Sequence, residues 1–334
     1  MRRTDHVRVL VQTGDAFDIE GDVLALKYEQ DPVGIERSLL ARLKHGGIDA
    51  EPAVPVPGAA LLLKTAGATR APVSLLIGVR PVGLFGYQDV REFTRAVLVA
   101  LAGTLPNARH LLLTIHGAGG GLDEHEALES GVAGLVEAIQ SGECSPGLRK
   151  VTVVEKEAVR ATLFKRALDH VLPDGAIPRP GATTGAQGAI RQPAAHLRSV
   201  GYDSASKPNI FVAMPFRQDM EDLYHYGIQG AVRAAGFVCE RSDLSTFTGE
   251  VMSWIKQRIE TASLVIADLT HANPNVYLEV GYAWGRGRPT VLLVQDEAAL
   301  QFDVRGQRCL TYSKIKDLEE KLTADLKTLR EGPA

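Results

Sequence analysis

The sequence predicts an α/β protein of two domains, the second a small doubly wound parallel sheet. Three observations predict it. Short apolar runs of strand length alternate with amphipathic helical stretches in both halves of the chain. A Gly-, Pro-, Ala- and Ser-rich stretch without sustained period, 173–207, separates the halves and is too long for an ordinary loop inside one compact domain. The chain has 334 residues, more than one average domain, and either half is long enough to bury its own core.

In the first domain, 1–172, residues 7–12 alternate as a strand and 23–26 form a second one. A helix over 34–44 places Ile35, Leu39, Leu40 and Leu43 on one face. Residues 61–63 and 73–79 are short apolar strands. A long helix over 89–105 carries Phe93, Val97, Leu98 and Leu101 at core spacing and ends before Pro106. Residues 110–115 make a buried strand, followed by a glycine turn and a helix from about Glu124. A strand over 151–154 and a helix over 158–172 close the domain. In the intervening linker, Leu197 and Tyr202 are the residues able to pin it locally.

The second domain, 208–334, opens with a strand over 210–213 and a turn at Met214-Pro215-Phe216. A helix over 220–235 leads past Gly236 to a strand over 237–240. A helix over 249–262 turns Val251, Trp254, Ile255 and Ile259 inward. Strands follow at 264–267, 290–294 and 310–312, with a helix between the first two and an amphipathic helix over 315–329 at the end. About five strands with interleaved helices suit a flavodoxin-like order, in which ligands sit beyond the carboxyl ends of the strands.

Composition narrows the function classes. Hydrophobic residues at 45% and charged residues at 23% are ordinary for a globular protein, and the net charge of −3 argues against a generally basic nucleic-acid surface. The three cysteines, Cys144, Cys239 and Cys309, are far apart and match no metal spacing, which suits a reducing cytoplasm. The N-terminus has no signal-peptide core, and no apolar run reaches membrane-spanning length.

Two stretches carry candidate chemistry. In LVIADLTHANPNVYLEVGYAWGRGRPTVLLV (264–294), Asp268 ends a strand and Glu279 lies early in the next helix. Two carboxylates aimed at one crevice signal acid/base or nucleophilic work. Val276, Val280 and Trp284 are expected to limit the hydration of Glu279, and Tyr282 and Trp284 to pack the helix onto the sheet. Phe216 offers a base platform, and Arg217 and Arg241 offer cations, alternatively paired with Asp219 and Asp243. Asp243 faces the same edge, Thr248 and Gly249 open a helix suited to phosphate oxygens, and Asn275 joins the substrate-binding set unless it serves only the turn and helix cap.

In the first domain HGAGGGLDEHEA follows a buried strand and precedes a helix, so Gly117, Gly119, Gly120 and Gly121 form a candidate anion loop. It is neither a Walker motif nor a dinucleotide fingerprint. Asp123 fits a helix N-cap with Glu126 as its reciprocal partner. His116, Glu124, His125 and Glu126 match no standard zinc spacing, and no metal is expected.

The strings NIFVAMPF, AAGFVCERSD, GEVMSWIKQRIETASLVIADLT and NPNVYLEVGYAWGRGRP resemble the nucleoside 2-deoxyribosyltransferase-like group, which is close to the TIR-like domains of bacterial defence proteins. The resemblance spans about 209–312. It implies Glu279 as the nucleophile at the anomeric carbon, with Asp268 as helper. TGDAFDIEGDVLAL weakly resembles the opening of macro-like domains, which bind ADP-ribose, and of the leucine aminopeptidase N-terminal domain. The macro asparagine is absent, with Leu26, Lys27 and Tyr28 standing there.

These resemblances imply cleavage of an N-glycosidic bond in NAD or a related nucleotide by a TIR-like effector. The N-terminal domain would be a sensor or regulator, and the setting cytoplasmic antiviral defence. No cofactor is expected, NAD being the substrate. Expected partners are a nucleotide or nucleoside ligand, a second copy of the chain, and a protein or nucleotide trigger, with no membrane and no nucleic acid. Two alternatives stand beside this: deoxyribosyl transfer or nucleosidase action in salvage, and a non-catalytic nucleotide-binding signalling module.

Overall fold

The computed structural model describes residues 5–29, 32, 34–48, 55–81, 84–181, 190–241, 251–301, 304 and 306–331. Chain contacts divide into two compact units, one of Met1–Ala118 with Glu124–Ala205, the other of Gly119–Asp123 with Ser206–Ala334. Each is an α/β layer structure.

The first unit holds β1 (His6–Thr13), β2 (Val23–Tyr28), α1 (Ile35–His45), β3 (Ala60–Lys64), β4 (Val73–Gly78), α2 (Tyr87–Thr104), β5 (His110–Leu113), α3 (Glu124–Gln140), β6 (Lys150–Glu155), α4 (Ala158–Val171) and β7 (Ala176–Pro178). Its sheet order is β3-β4-β2-β5-β6-β1-β7, parallel through the centre and antiparallel at both edges. Central β2 is buried along its whole length, as a parallel strand covered on both faces must be. Helices α2 and α3 approach closely because Gly134 lacks a side chain; a Cβ there would meet the Arg91 carbonyl at 2.1 Å.

The stretch expected to be linker is largely structured where it is described. Ala176–Pro178 pairs with β1, and its proline sits at a sheet edge where no ladder donor is lost. Arg179 is buried and donates to the carbonyls of Ser145 and Leu148. Leu197, in a helical turn at Ala195–Arg198, is 2% exposed, and Arg91 donates to the Val200 carbonyl at 2.6 Å. A Gly/Pro-rich composition marks irregular backbone here, and buried side chains and backbone hydrogen bonds give that backbone a fixed place. The short α5 (Tyr202–Ser206) follows.

The second unit runs β8 (Asn209–Ala213), a π-wound turn at Leu223–Ile228 continuing into α6 (Gln229–Ala234), β9 (Val238–Glu240), α7 (Val251–Thr261), β10 (Leu264–Asp268), α8 (Pro274–Gly285), β11 (Thr290–Val294), β12 (Cys309–Thr311) and α9 (Ile315–Glu331). All five strands are parallel, in the order β12-β11-β10-β8-β9. This is the doubly wound order expected, and its switch point falls between β8 and β10. Ile210, Val212, Leu264 and Ile266 share a core with Ile228, Val232, Leu318, Leu322 and Leu326, so α6 and α9 cover one face. The right-handed crossovers through α7 and α8 cover the other. Among the described residues, no helix is long and apolar enough to cross a membrane.

Candidate active site at the carboxyl edge of the second sheet

Helix α8 starts where the sequence stops it from starting earlier. Asn273 is extended and its side-chain oxygen accepts from the Asn275 backbone N–H at 2.9 Å, while Pro274 takes the first helical position. From that start Val276, Glu279, Val280 and Ala283 fall at helical spacing on the buried face. Glu279 therefore lies in an apolar layer, 8% exposed. Among the described residues it has no hydrogen-bonding or ion-pairing partner. Burial pushes its carboxyl up to about 7. An acid of this kind exchanges a proton, or develops a negative charge, close to neutral pH.

Asp268 behaves differently. It is fully buried, its Oδ2 accepts from the Tyr312 hydroxyl at 2.6 Å and its Oδ1 from the Thr270 N–H at 2.9 Å. Thr270 Oγ1 lies 3.1 Å from the same phenol, and the Gln295 N–H donates to it at 3.3 Å. Burial raises the Asp268 carboxyl, only partly offset by these hydrogen bonds, and pushes the Tyr312 phenol above its usual range. Strand alternation sends Asp268 to the side of Leu264 and Ile266, the face covered by α6 and α9, whereas Glu279 belongs to α8 on the opposite face. The two carboxylates expected to share one crevice thus belong to opposite faces of the sheet, and the hydrogen bonds of Asp268 tie together the loops after β10, β11 and β12.

Beyond β8 and β9 a second cluster forms. The Arg241 guanidinium, 5% exposed, grips both oxygens of Glu221 at 3.0 and 3.1 Å and lies 3.9 Å from the Tyr224 ring centroid and 5.4 Å from that of Phe216. His225 Nε2 reaches Glu221 at 3.4 Å. Burial would raise the Glu221 carboxyl, but the His225 hydrogen bond and the Arg241 charge outweigh it and hold it at about 2. Among the described residues Arg241 is thus paired with Glu221, four residues before His225 in one helical turn.

Phe216 is 38% exposed, placed at the strand edge as a stacking surface needs. Arg217 is exposed and paired with Asp219. Asn275 is exposed in the first turn of α8. Tyr282 is half-buried and donates to Glu260 of α7, but Trp284, expected to pack on the sheet and shield Glu279, is 38% exposed at the margin of the buried face, in the last turn of α8. Asp243, Thr248 and Gly249 lie outside the described residues.

The glycine loop divides. Gly117 has a positive φ of 91°. Gly119 and Gly120 fall in a tight helical turn, Ala118–Gly120. Gly121 is needed for close packing: a Cβ there would meet the Trp254 ring at 2.6 Å, its φ is 106°, and its carbonyl accepts from the Arg241 N–H at 3.2 Å. Asp123, 1% exposed, accepts from the Cys239 N–H and from Arg233, both at 3.2 Å, and Glu126 accepts from Ser204 at 2.5 Å. His116 is buried, accepts from the Lys27 N–H at 3.2 Å, and is held well below its usual range by burial and the Lys27 charge. Lys27 is buried against Glu29 and Glu36 at 2.8 and 2.5 Å.

No family model matches the sequence, and no curated protein matches it. Solved structures do show slight likeness. A CMP N-glycosidase of Clostridium botulinum, BcmB, aligns over 35% of this chain and 98% of its own, with 19% identity and a TM-score of 0.30. A Trypanosoma brucei macrodomain in complex with ADP-ribose aligns over 48% of this chain and 69% of its own, with 13% identity and a TM-score of 0.39. The bottromycin maturation enzyme BotP aligns over 92% of this chain and 90% of its own, with 15% identity and a TM-score of 0.29. Similarity this slight assigns no activity to the chain.

Proposed function

We propose that the second unit cleaves the N-glycosidic bond of a nucleotide, with Glu279 as the group that meets the sugar. The observation that carries this reading is a buried carboxyl raised to about 7, without a partner among the described residues, on the helix that follows the switch-point strand. Loss of the base leaves an oxocarbenium-like sugar, and a carboxylate beneath its C1′ either traps that cation or stabilises it. A site that keeps Glu279 dehydrated makes the carboxylate a stronger partner for a cation than water would allow. Phe216 supplies a ring for the base and Arg241 a buried positive charge near it, while Asp268 positions the loops without touching the reacting atoms.

Within this reading NAD is the preferred substrate, the enzyme is a TIR-like effector, and the first unit regulates it as a nucleotide or partner sensor, in the setting of antiviral defence. That no salt bridge reaches Glu279 among the described residues favours catalysis over a purely binding module, since a structural carboxylate at this depth ordinarily has a partner. The test is base release, followed by chromatography, from NAD, NADP, nucleoside monophosphates and 2′-deoxynucleosides. Release of nicotinamide or another base supports the proposal. Saturable binding without release from any of them rejects it in favour of the signalling module, and base exchange into a second nucleoside selects deoxyribosyl transfer.

A further inference from the structure

A carboxylate in the first unit is surrounded by imidazoles. Glu129 on α3 is 5% exposed, yet among its described contacts the charged groups facing it are histidines. His125, one turn earlier on the same helix, reaches Oε1 with its Nε2 at 3.0 Å. His196, from the helical turn Ala195–Arg198, reaches Oε2 with its Nε2 at 3.1 Å. His170, in the last turn of α4, stacks near His196 with ring centroids 5.8 Å apart. One ligand atom each from Glu129, His170 and His196 lie within 4.8 Å of one another.

We propose that Glu129, His170 and His196 form a three-ligand site for a divalent transition metal of the zinc class, with His125 orienting the glutamate from its other oxygen. The chemistry fits: two imidazoles and one carboxylate are the donor set of a zinc site that keeps a position open for water. The spacing fits too. Ligands about 2.0–2.1 Å from a tetrahedral ion stand about 3.3 Å apart; Glu129 and His196 are 3.1 Å apart, and all three ligand atoms lie within 4.8 Å of one another, so rotation of the exposed His170 ring closes the set. His125 plays the part that hydrogen-bonded neighbours play around metal ligands, fixing the carboxylate's rotation.

The backbone presenting these ligands is held without any ion. Leu197 is 2% exposed, and Arg91 binds the carbonyls of both Arg198 and Val200 beside the His196 turn. The ion therefore finds a largely prepared site and clips the segment after β7 to α3 and α4. Sequence spacing conceals it, because the ligands come from three elements and positions 129, 170 and 196.

The experiment titrates untagged, chelator-stripped full-length chain with Co2+ alone, reading visible absorption, then displaces it with Zn2+. One equivalent of Co2+ with the intense bands of a four- or five-coordinate site is expected, displaced stoichiometrically by Zn2+. His170→Ala and His196→Ala should each weaken binding at least 10-fold with unchanged far-UV circular dichroism, His125→Ala should weaken it less, and His45→Ala, an exposed histidine on α1, should leave it alone. Absence of stoichiometric binding, binding indifferent to both ligand variants, or an equal loss with His45→Ala overturns the proposal. None of these readouts involves base release.

Discussion

Tyr312 donates its hydroxyl to Asp268 Oδ2 at 2.6 Å, across the face of the second sheet opposite to the helix that carries Glu279. This bond makes Asp268 a tie between strand ends. Tyr312→Phe should destabilise the second unit by about 1–3 kcal/mol, because it leaves a buried carboxylate oxygen without its donor. Asp268→Asn should cost a similar amount, while base release by the folded fraction falls less than roughly tenfold. Urea unfolding, followed by activity at a denaturant-free temperature where both variants are folded, checks this; a loss from Asp268→Asn as deep as that from Glu279→Gln would return Asp268 to the reacting atoms.

Glu279 should weaken the fold it serves. Its carboxyl is at about 7 in the fold against 4.5 for the ordinary group, a gap worth about 3 kcal/mol. Since the folded value is raised, its stabilising contribution is complete below pH 4.5 and is lost as pH rises through 7. Glu279→Gln should therefore be more stable than the wild type at pH 8, by about 1–3 kcal/mol, and nearly equal to it at pH 4.5. Denaturation at the two pH values measures the difference, and a variant less stable at pH 8 would mean that the carboxylate has a stabilising partner.

The same value sets the pH dependence of the reaction. If the ionised carboxylate meets the sugar cation, kcat/KM rises with unit slope up to about pH 7 and then levels off. A profile that falls above pH 7 instead would make Glu279 a proton donor to the leaving base.

Arg241 meets both oxygens of Glu221 from one nitrogen, Nη2, and its planar guanidinium lies against Tyr224 and Phe216, a stacking that an ammonium does not reproduce. Arg241→Lys should destabilise the second unit by about 1–2 kcal/mol and Arg241→Ala by about 2–4 kcal/mol, through the uncompensated Glu221 charge. The Glu221 carboxyl lies at about 2, so its ionised pairing is present above 4.5 and lost as pH falls through 2. Thermal unfolding at pH 7 and pH 2 should show the Arg241→Lys penalty shrinking in acid; a constant penalty would place the loss in packing against the rings.

The sheet of the second unit was legible because its strands are continuous apolar runs and its helices have clear periodicity; Pro274 and the Asn273 cap even marked where α8 begins. Glu279 could be read from the same periodicity, since Val276, Val280 and Ala283 define the face on which it falls. The bond of Asp268 to Tyr312 was not legible, because a strand-end carboxylate looks the same in sequence whether its neighbour is solvent or a tyrosine 44 residues away. Trp284 follows Val276 and Val280 at helical spacing, yet in the last turn of α8 it sits at the margin of the buried face, where periodicity alone does not fix burial. The Glu221–Arg241 pair and the Glu129 cluster join distant elements, and no local spacing announces them. The stretch after α4 read as linker since buried Arg179 and Leu197 look polar or isolated there until their partners are known.

Base release by the Glu279→Gln chain against the wild type, on whichever nucleotide the wild type cleaves, tests the central claim most directly. The account predicts a fall in kcat on the order of 1,000-fold or more with nucleotide binding retained. Full activity in a folded variant would contradict it.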